Sequence, residues 1–141
     1  WLMQLSFNSF WNSLSKLEKK GLDPTLKKFL LYAENKIENS TITDTVRTTE
    51  EQQKCFKEGN SKLDGIIKKS NHQLGIAFDI VPYPNMWNAN AKEWIKLHTS
   101  IMIALHNFNK EHGTNLTLEW GGFWRTGNNT LGWDCPHYEL K

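Results

Sequence analysis

The stretch Ser70-Asn71-His72-Gln73-Leu74-Gly75-Ile76-Ala77-Phe78-Asp79-Ile80-Val81 decides how this chain is read. From Ile76 to Val81 the side chains alternate, with Ile76, Phe78 and Ile80 on one side and Ala77, Asp79 and Val81 on the other. The segment is therefore a β-strand that carries Asp79 away from the Phe78 face. Pro82 and Pro84 end it. A second segment, Asp134-Cys135-Pro136-His137-Tyr138-Glu139-Leu140, closes the chain with a short strand. There His137 and Glu139 share one face while Tyr138 and Leu140 take the other. Together the two segments offer His72, Asp79 and His137. Catalytic zinc commonly takes three nitrogen or oxygen ligands of this type and keeps a fourth position for water. Asp134, three residues before His137, is left to handle protons.

Outward from these strands the remaining elements follow from spacing and capping. Phe7, Phe10, Trp11, Leu14 and Leu17 predict an amphipathic helix over Ser6 to Lys20, stopped by Gly21. Asp23-Pro24 supplies an N-cap and a proline at the first helical position, and Leu26, Phe29, Leu30, Ala33 and Ile37 mark the buried stripe that follows. Ile42 to Val46 reads as a short strand delivering Arg47, and Thr49-Glu50-Glu51-Gln52 as a helix start. Residues 59–70, with Gly, Lys and Ser, read as a loop whose lysines form a solvated face. Asn90 with Glu93 opens the strongest helix, striped by Trp94, Leu97, Ile101, Leu105 and Phe108 and closed at Gly113. Leu116 to Trp120 is a further strand. With no internal repeat and no low-complexity linker, residues 1–141 form one α+β domain in which 1–42 are N-terminal helices and 43–141 the motif-bearing core.

Composition narrows the classes of partner. At 141 residues the chain can bury a core without disulfides. A net charge of +2 comes from scattered lysines, with only Arg47 and Arg125 as arginines, so nucleic acid is not the expected partner. Mild basicity suits an anionic polymer. No apolar run reaches the roughly 18 to 20 residues of a membrane span, so no stable membrane insertion is expected. Cys55 and Cys135 fit no common zinc or redox spacing and read as free thiols, although one bridge between them is open. The first residue is Trp rather than Met, which reads as a trimmed or processed start; any export signal would be lost with that start, and its absence says nothing about compartment.

The motifs Ser70-x-His72-x-x-Gly75-x-Ala77-x-Asp79, Val46-Arg47-Thr48 with Gln52, Trp120-Gly121-Gly122-x-Trp124 and Asp134-x-Pro136-His137-x-Glu139-Leu140 resemble one known group. These are the zinc peptidases of bacterial cell walls, which include endolysin-type L-alanyl-D-glutamate endopeptidases and D-alanyl-D-alanine carboxypeptidases. The likeness spans about residues 43 to 140. The carboxypeptidase branch usually has Glu where this chain has Asp134, and Trp directly before the His, so the endopeptidase branch is favoured. Phe123 stands where the family often has Asp, and the loop from Arg125 to Trp133 is longer than usual. The resemblance implies a small antiparallel sheet packed by helices, Zn2+ on His72, Asp79 and His137, and Asp134 as general base and then acid. It implies Arg47 near the oxyanion, with Ser70, Gln52, Glu139 and Trp120 holding substrate or supporting the ligands.

The implied function is hydrolysis of the L-Ala-D-Glu bond of the peptidoglycan stem peptide by zinc-activated water. The alternatives are a D-alanyl-D-alanine carboxypeptidase and a non-catalytic zinc-containing wall-binding module. A monomer acting at the cell wall, in the periplasm or outside the cell, reached by export or phage lysis, goes with this reading. Plainer roles compete at several positions. His98, His106 and His112 read as core or surface residues of the long helix. Trp120 and Trp124 suit a core as well as a substrate wall. Arg47 has an ion pair with Glu50 or Glu51 as its alternative, and Asp134 a turn.

Overall fold

Capping residues fix where the helices begin in the computed structural model, which describes residues 14–34, 36–124 and 130–141. Of the helix expected over residues 6–20, residues 14–20 are described and only α1 (Leu14–Leu17) is helical, so it ends three residues before Lys20, while Phe7, Phe10 and Trp11 lie outside the described residues. Asp23 starts α2 (Pro24–Ala33), its Oδ2 accepting from the backbone N–H of Thr25 at 3.1 Å and of Leu26 at 3.0 Å. Thr48 starts α3 (Thr49–Lys57) through a capping box with Glu51. Asn90 and Glu93 make the same reciprocal pair at the head of α4 (Ala91–His112), which Gly113 closes in the left-handed region at φ 63°. Each box satisfies donors that the first helical turn leaves without partners.

The apolar stripes then dictate packing. Leu26, Phe29, Leu30 and Ala33 of α2 are buried, as are Trp94, Leu97, Ile101, Ala104, Leu105 and Phe108 of α4. The two helices meet through Phe29 and Phe108, edge to face at 5.6 Å, and through Tyr32 and Phe108 at 5.3 Å. This is the offset geometry that aromatic quadrupoles prefer. His98 joins the apolar side, stacked on Trp120 at 4.0 Å and hydrogen-bonded through Nδ1 to the Tyr138 hydroxyl at 2.9 Å.

Four antiparallel strands, β1 (Ser40–Asp44), β2 (Ala77–Pro82), β3 (Leu118–Trp120) and β4 (His137–Leu140), form one sheet in the order β1-β2-β4-β3. Phe78, Tyr138 and Trp120 lie side by side across β2, β4 and β3 and join the helical core, Phe78 stacking on Tyr138 at 5.2 Å. The opposite face carries Asp79 directly across from His137 on β4 and across from Asp44 on β1. A bulge between Ile42 and Asp44 brings Asp44 into that row.

Two strands depart from their expected bounds: β1 starts and ends two residues before the expected Ile42–Val46, and β3 is two residues shorter than expected. β1 ends at Asp44 rather than Val46, because the Thr45 carbonyl is taken by the His72 ring and the Thr45 hydroxyl by the Lys16 carbonyl. β3 starts at Leu118 rather than Leu116, because both backbone groups of Leu116 are bound by the Asn109 amide at the end of α4.

The turn that joins α3's trailing loop to β2 depends on Gly75. It has φ 74°, and a Cβ there would run into the Gly21 carbonyl, whose neighbour Asp23 donates its N–H to Gly75 O at 2.8 Å. Gly75→Ala is therefore expected to lower stability by about 3 kcal/mol, the sum of backbone strain and collision. Gly113→Ala, whose Cβ would meet open space, costs about 1 kcal/mol. Denaturant midpoints of the two variants check this, and equal losses would show that the backbone at Gly75 yields freely.

Candidate active site

Strand register and one turn bring the three expected ligands together. β2 and β4 hold Asp79 opposite His137, and the turn before β2 swings His72 over the same face. That turn is pinned by Ser70, whose N–H donates to Gln73 Oε1 at 2.9 Å and whose Oγ accepts from Gln73 N at 3.2 Å, and by Arg47 N, which donates to His72 O at 3.1 Å. Asp79 Oδ1 then stands 3.2 Å from His72 Nε2 and 3.2 Å from His137 Nδ1. The donor atoms of the trio all lie within 4.8 Å of one another.

The outer nitrogen of each ring settles what the inner one presents. His72 Nδ1 is 2.6 Å from the Thr45 carbonyl, which can only accept, so Nδ1 carries the hydrogen. His137 Nε2 is 2.8 Å from Glu139 Oε1 and donates to that carboxylate. In neutral imidazoles the inner nitrogens are therefore bare, and two nitrogen lone pairs face a carboxylate oxygen. That arrangement is repulsive without a cation among the donors, and ligating histidines are commonly braced in this way. The residues fit a divalent metal of the mixed nitrogen and oxygen type.

Charges around the trio reinforce this preference. Burial pushes the Asp79 carboxyl up, but when the His137 and His72 rings are protonated their hydrogen bonds and positive charge outweigh it and hold the group below the ordinary carboxylate range, the same cationic stabilisation that a metal among the donors gives in place of those protons. Burial pushes His137 down, yet Asp79, Glu139 and Asp134 raise its proton affinity above the usual value. Arg47 braces the other side. Its Nε donates to Asp44 Oδ2 at 2.6 Å, its Nη1 to Gln52 Oε1 at 3.0 Å, and its Nη2 lies 3.6 Å from Asp79 Oδ2. The pairing with Glu50 or Glu51 that the sequence offered as an alternative is not what holds it, since Glu51 is occupied by the Thr48 cap and Lys19.

The trio floors an open cleft of about 1440 Å3 that is also lined by Arg47, Ser70, Asp134 and Glu139. Burial pushes the Asp134 carboxyl up and the Asp79 charge pushes it further, against the pull of His137, His72 and Arg47. Gly121 makes room for Asp134, because a Cβ there would collide with the Asp134 carbonyl. Trp124 leans over His137 with ring centroids 5.1 Å apart and meets Trp133, which is 67% exposed.

Not every expected residue reaches the cleft. Trp120 is 3% exposed on the opposite, apolar face, with Nε1 donating to Cys135 O at 2.6 Å. Gln52 is fully buried and spends its amide on Arg47, Ser61 and Leu63. Cys55 and Cys135 are both free thiols. Sequence reasoning passed over Asp44, the Thr45 carbonyl and Trp87, a cleft residue 59% exposed on the 3-10 turn Met86–Asn88. Only the Asp44-x-x-Arg47 spacing gave any signal.

Donors arranged for a divalent cation, beside an ionisable carboxylate and open to a polymer-sized groove on an α+β scaffold, belong to the hydrolase class. The sequence pattern of the phage L-alanyl-D-glutamate peptidases matches residues 5–141, and the chain belongs to that family and is a peptidase. Its fold is similar to that of the Serratia marcescens L-Ala D-Glu endopeptidase ChiX, with a TM-score of 0.66 and 22% identity over 94% of this chain and 88% of that one. No curated protein sequence gives a significant match.

Adding a divalent cation to chelator-treated protein is expected to raise the unfolding midpoint. At free cation of about 100 times Kd the gain is about 2.7 kcal/mol, and His72→Ala or Asp79→Ala removes it. Glu139→Gln keeps the site but weakens affinity by about 10- to 100-fold in calorimetric titration. A wild-type protein that no divalent cation stabilises would remove the metal reading.

Proposed function

We propose that this peptidase hydrolyses the L-Ala-D-Glu amide of the peptidoglycan stem peptide, with Zn2+ held by His72 Nε2, Asp79 Oδ1 and His137 Nδ1. The single observation that carries the metal reading is the convergence of bare nitrogens on Asp79 Oδ1, each ring locked from behind by an acceptor. The mixed donor set suits zinc among common divalent metals. Zinc bound there supplies a Lewis acid and brings the pKa of a water toward about 7.

The chain's own residues complete the chemistry. Asp134, made more basic by burial and by Asp79, takes a proton from the attacking water and returns it to the D-Glu nitrogen as the amide C–N bond breaks. Arg47, fixed by Asp44 and Gln52, holds Asp79 in place and puts a permanent cation on the cleft wall, where charge grows on the carbonyl oxygen. Trp124, Trp133 and Trp87 give the groove apolar sides, and Ser70 holds the His72 turn in shape. Family membership supports the L-Ala-D-Glu bond over a terminal D-Ala-D-Ala bond, and action at the cell wall follows from that substrate.

Mass spectrometry of defined stem peptides after incubation with zinc-loaded protein tests the reading. The expected products are an L-Ala-terminated fragment and a peptide beginning with D-Glu, both absent after chelation. Asp134→Asn is expected to retain zinc while turnover falls by about 10²- to 10⁴-fold. Full activity in that variant would reassign the base, loss of D-Ala alone would move the protein to the carboxypeptidase branch, and zinc binding without cleavage would make it a binding module.

A further inference from the structure

The cleft has two permanent cations among its described lining residues, Arg47 and Lys62. Arg47 is already engaged, by Asp44 at 2.6 Å and Asp79 at 3.6 Å. Lys62 is exposed, and its ammonium has no ion-pair or hydrogen-bond partner among the described residues. Its four acidic neighbours in the lining are spoken for or recessed. Asp44 is paired with Arg47, Asp79 with the two rings, Glu139 with His137, and Asp134 is partly desolvated at the floor.

A lone surface lysine would carry little weight, but the backbone of Lys62 is built in. Gln52, fully buried, donates through Nε2 to Ser61 Oγ at 2.9 Å and to Leu63 O at 2.8 Å, so one amide clamps the residues on both sides of Lys62. Ser61 Oγ also accepts from Leu63 N at 3.2 Å, which tightens the same turn. The Oε1 of that amide accepts from Arg47 Nη1 at 3.0 Å. The backbone that carries the unpaired ammonium is thus linked through Gln52 to the guanidinium beside the donor trio.

Substrate chemistry supplies the missing anion. A D-glutamyl residue has two carboxyl groups, only one of which can continue a chain. Where the other is not amidated, a carboxylate stands a few bonds from the amide that is cut. We propose that Lys62 reads this free carboxylate of the D-glutamyl residue and makes the enzyme discriminate it from the amidated form. The inference rests on the L-Ala-D-Glu reading above.

The test is kcat/KM for two stem peptides that differ only in whether that carboxyl is free or amidated. Wild type is expected to favour the free acid by about tenfold, the worth of one charge-assisted contact at a wet site. Lys62→Ala is expected to bring the ratio to near one, Lys62→Glu to below one, and Lys62→Arg to restore a preference for the acid. Lys69→Ala, on the same loop but outside the cleft lining, keeps the wild-type ratio. Each ratio is taken within one preparation, so loss of folded protein cancels. No wild-type preference, or a ratio unmoved by Lys62→Ala, overturns the role of Lys62 while leaving the peptidase reading intact. Cleavage of neither peptide by the wild type overturns the bond assignment and the Lys62 role with it.

Discussion

Asp79 Oδ1 lies 3.2 Å from a nitrogen of each of two histidines, and those nitrogens have no hydrogen to offer once their partners on the far side are satisfied. Electron pairs brought this close repel, so the surrounding protein must force the encounter and a cation must relieve it. The sheet does the forcing. Antiparallel pairing of β2 with β4 puts Asp79 and His137 directly opposite, where side chains on one face are only about 4.5 to 5.5 Å apart at Cβ. The anchoring of the β2 strand, the turn at Gly75 and the acceptors behind each ring all serve this one convergence. Burial of the carboxylate alone would be opposed by several kcal/mol, a large part of the roughly 5 to 15 kcal/mol that keeps a domain folded. Arg47 on one side and a cation among the donors on the other offset that penalty.

The helices and the central strands could be read from the chain because their signals are local. Asn90 with Glu93, a stripe of apolar residues and Gly113 define α4 at both ends, and period-two alternation sends Phe78 and Asp79 to opposite faces. What escaped reading depends on contacts distant in sequence. The end of β1 is set by a histidine ring 27 residues away, and the start of β3 by Asn109. Asp44 was not singled out because a bulge shifts it into line with Asp79, and no periodicity announces an extra residue in one strand. Trp87 sits in a Pro- and Asn-rich turn without any repeating pattern to give its direction.

Trp120 shows how a face assignment separates two similar residues. It pairs with Tyr138, which shares the apolar face with Phe78, so its indole is committed to the core before any substrate is considered. Trp124, four residues later and past the glycine pair, has turned to the polar side and leans on His137. The motif Trp120-Gly121-Gly122-x-Trp124 therefore has two jobs divided by a chain reversal. Its first glycine lets the Asp134 backbone approach closely, and its two tryptophans lie on different sides of the sheet.

Gln52 explains why an amide is needed at a buried helical position where an apolar side chain would cost less to desolvate. Leucine there would fill similar space but would leave Arg47 Nη1 and the Leu63 carbonyl without the partners they have now. Glutamate would satisfy the guanidinium but could not donate to Ser61 and Leu63 while ionised. Only a group that accepts at one end and donates at the other can join the Arg47 guanidinium to the loop of residues 61–63 along the cleft. The loop of residues 61–63 is consequently anchored to α3 through one buried side chain, although it has no regular structure. Specificity can be built on such a loop because its position is inherited from the same side chain that steadies the arginine beside the donor trio.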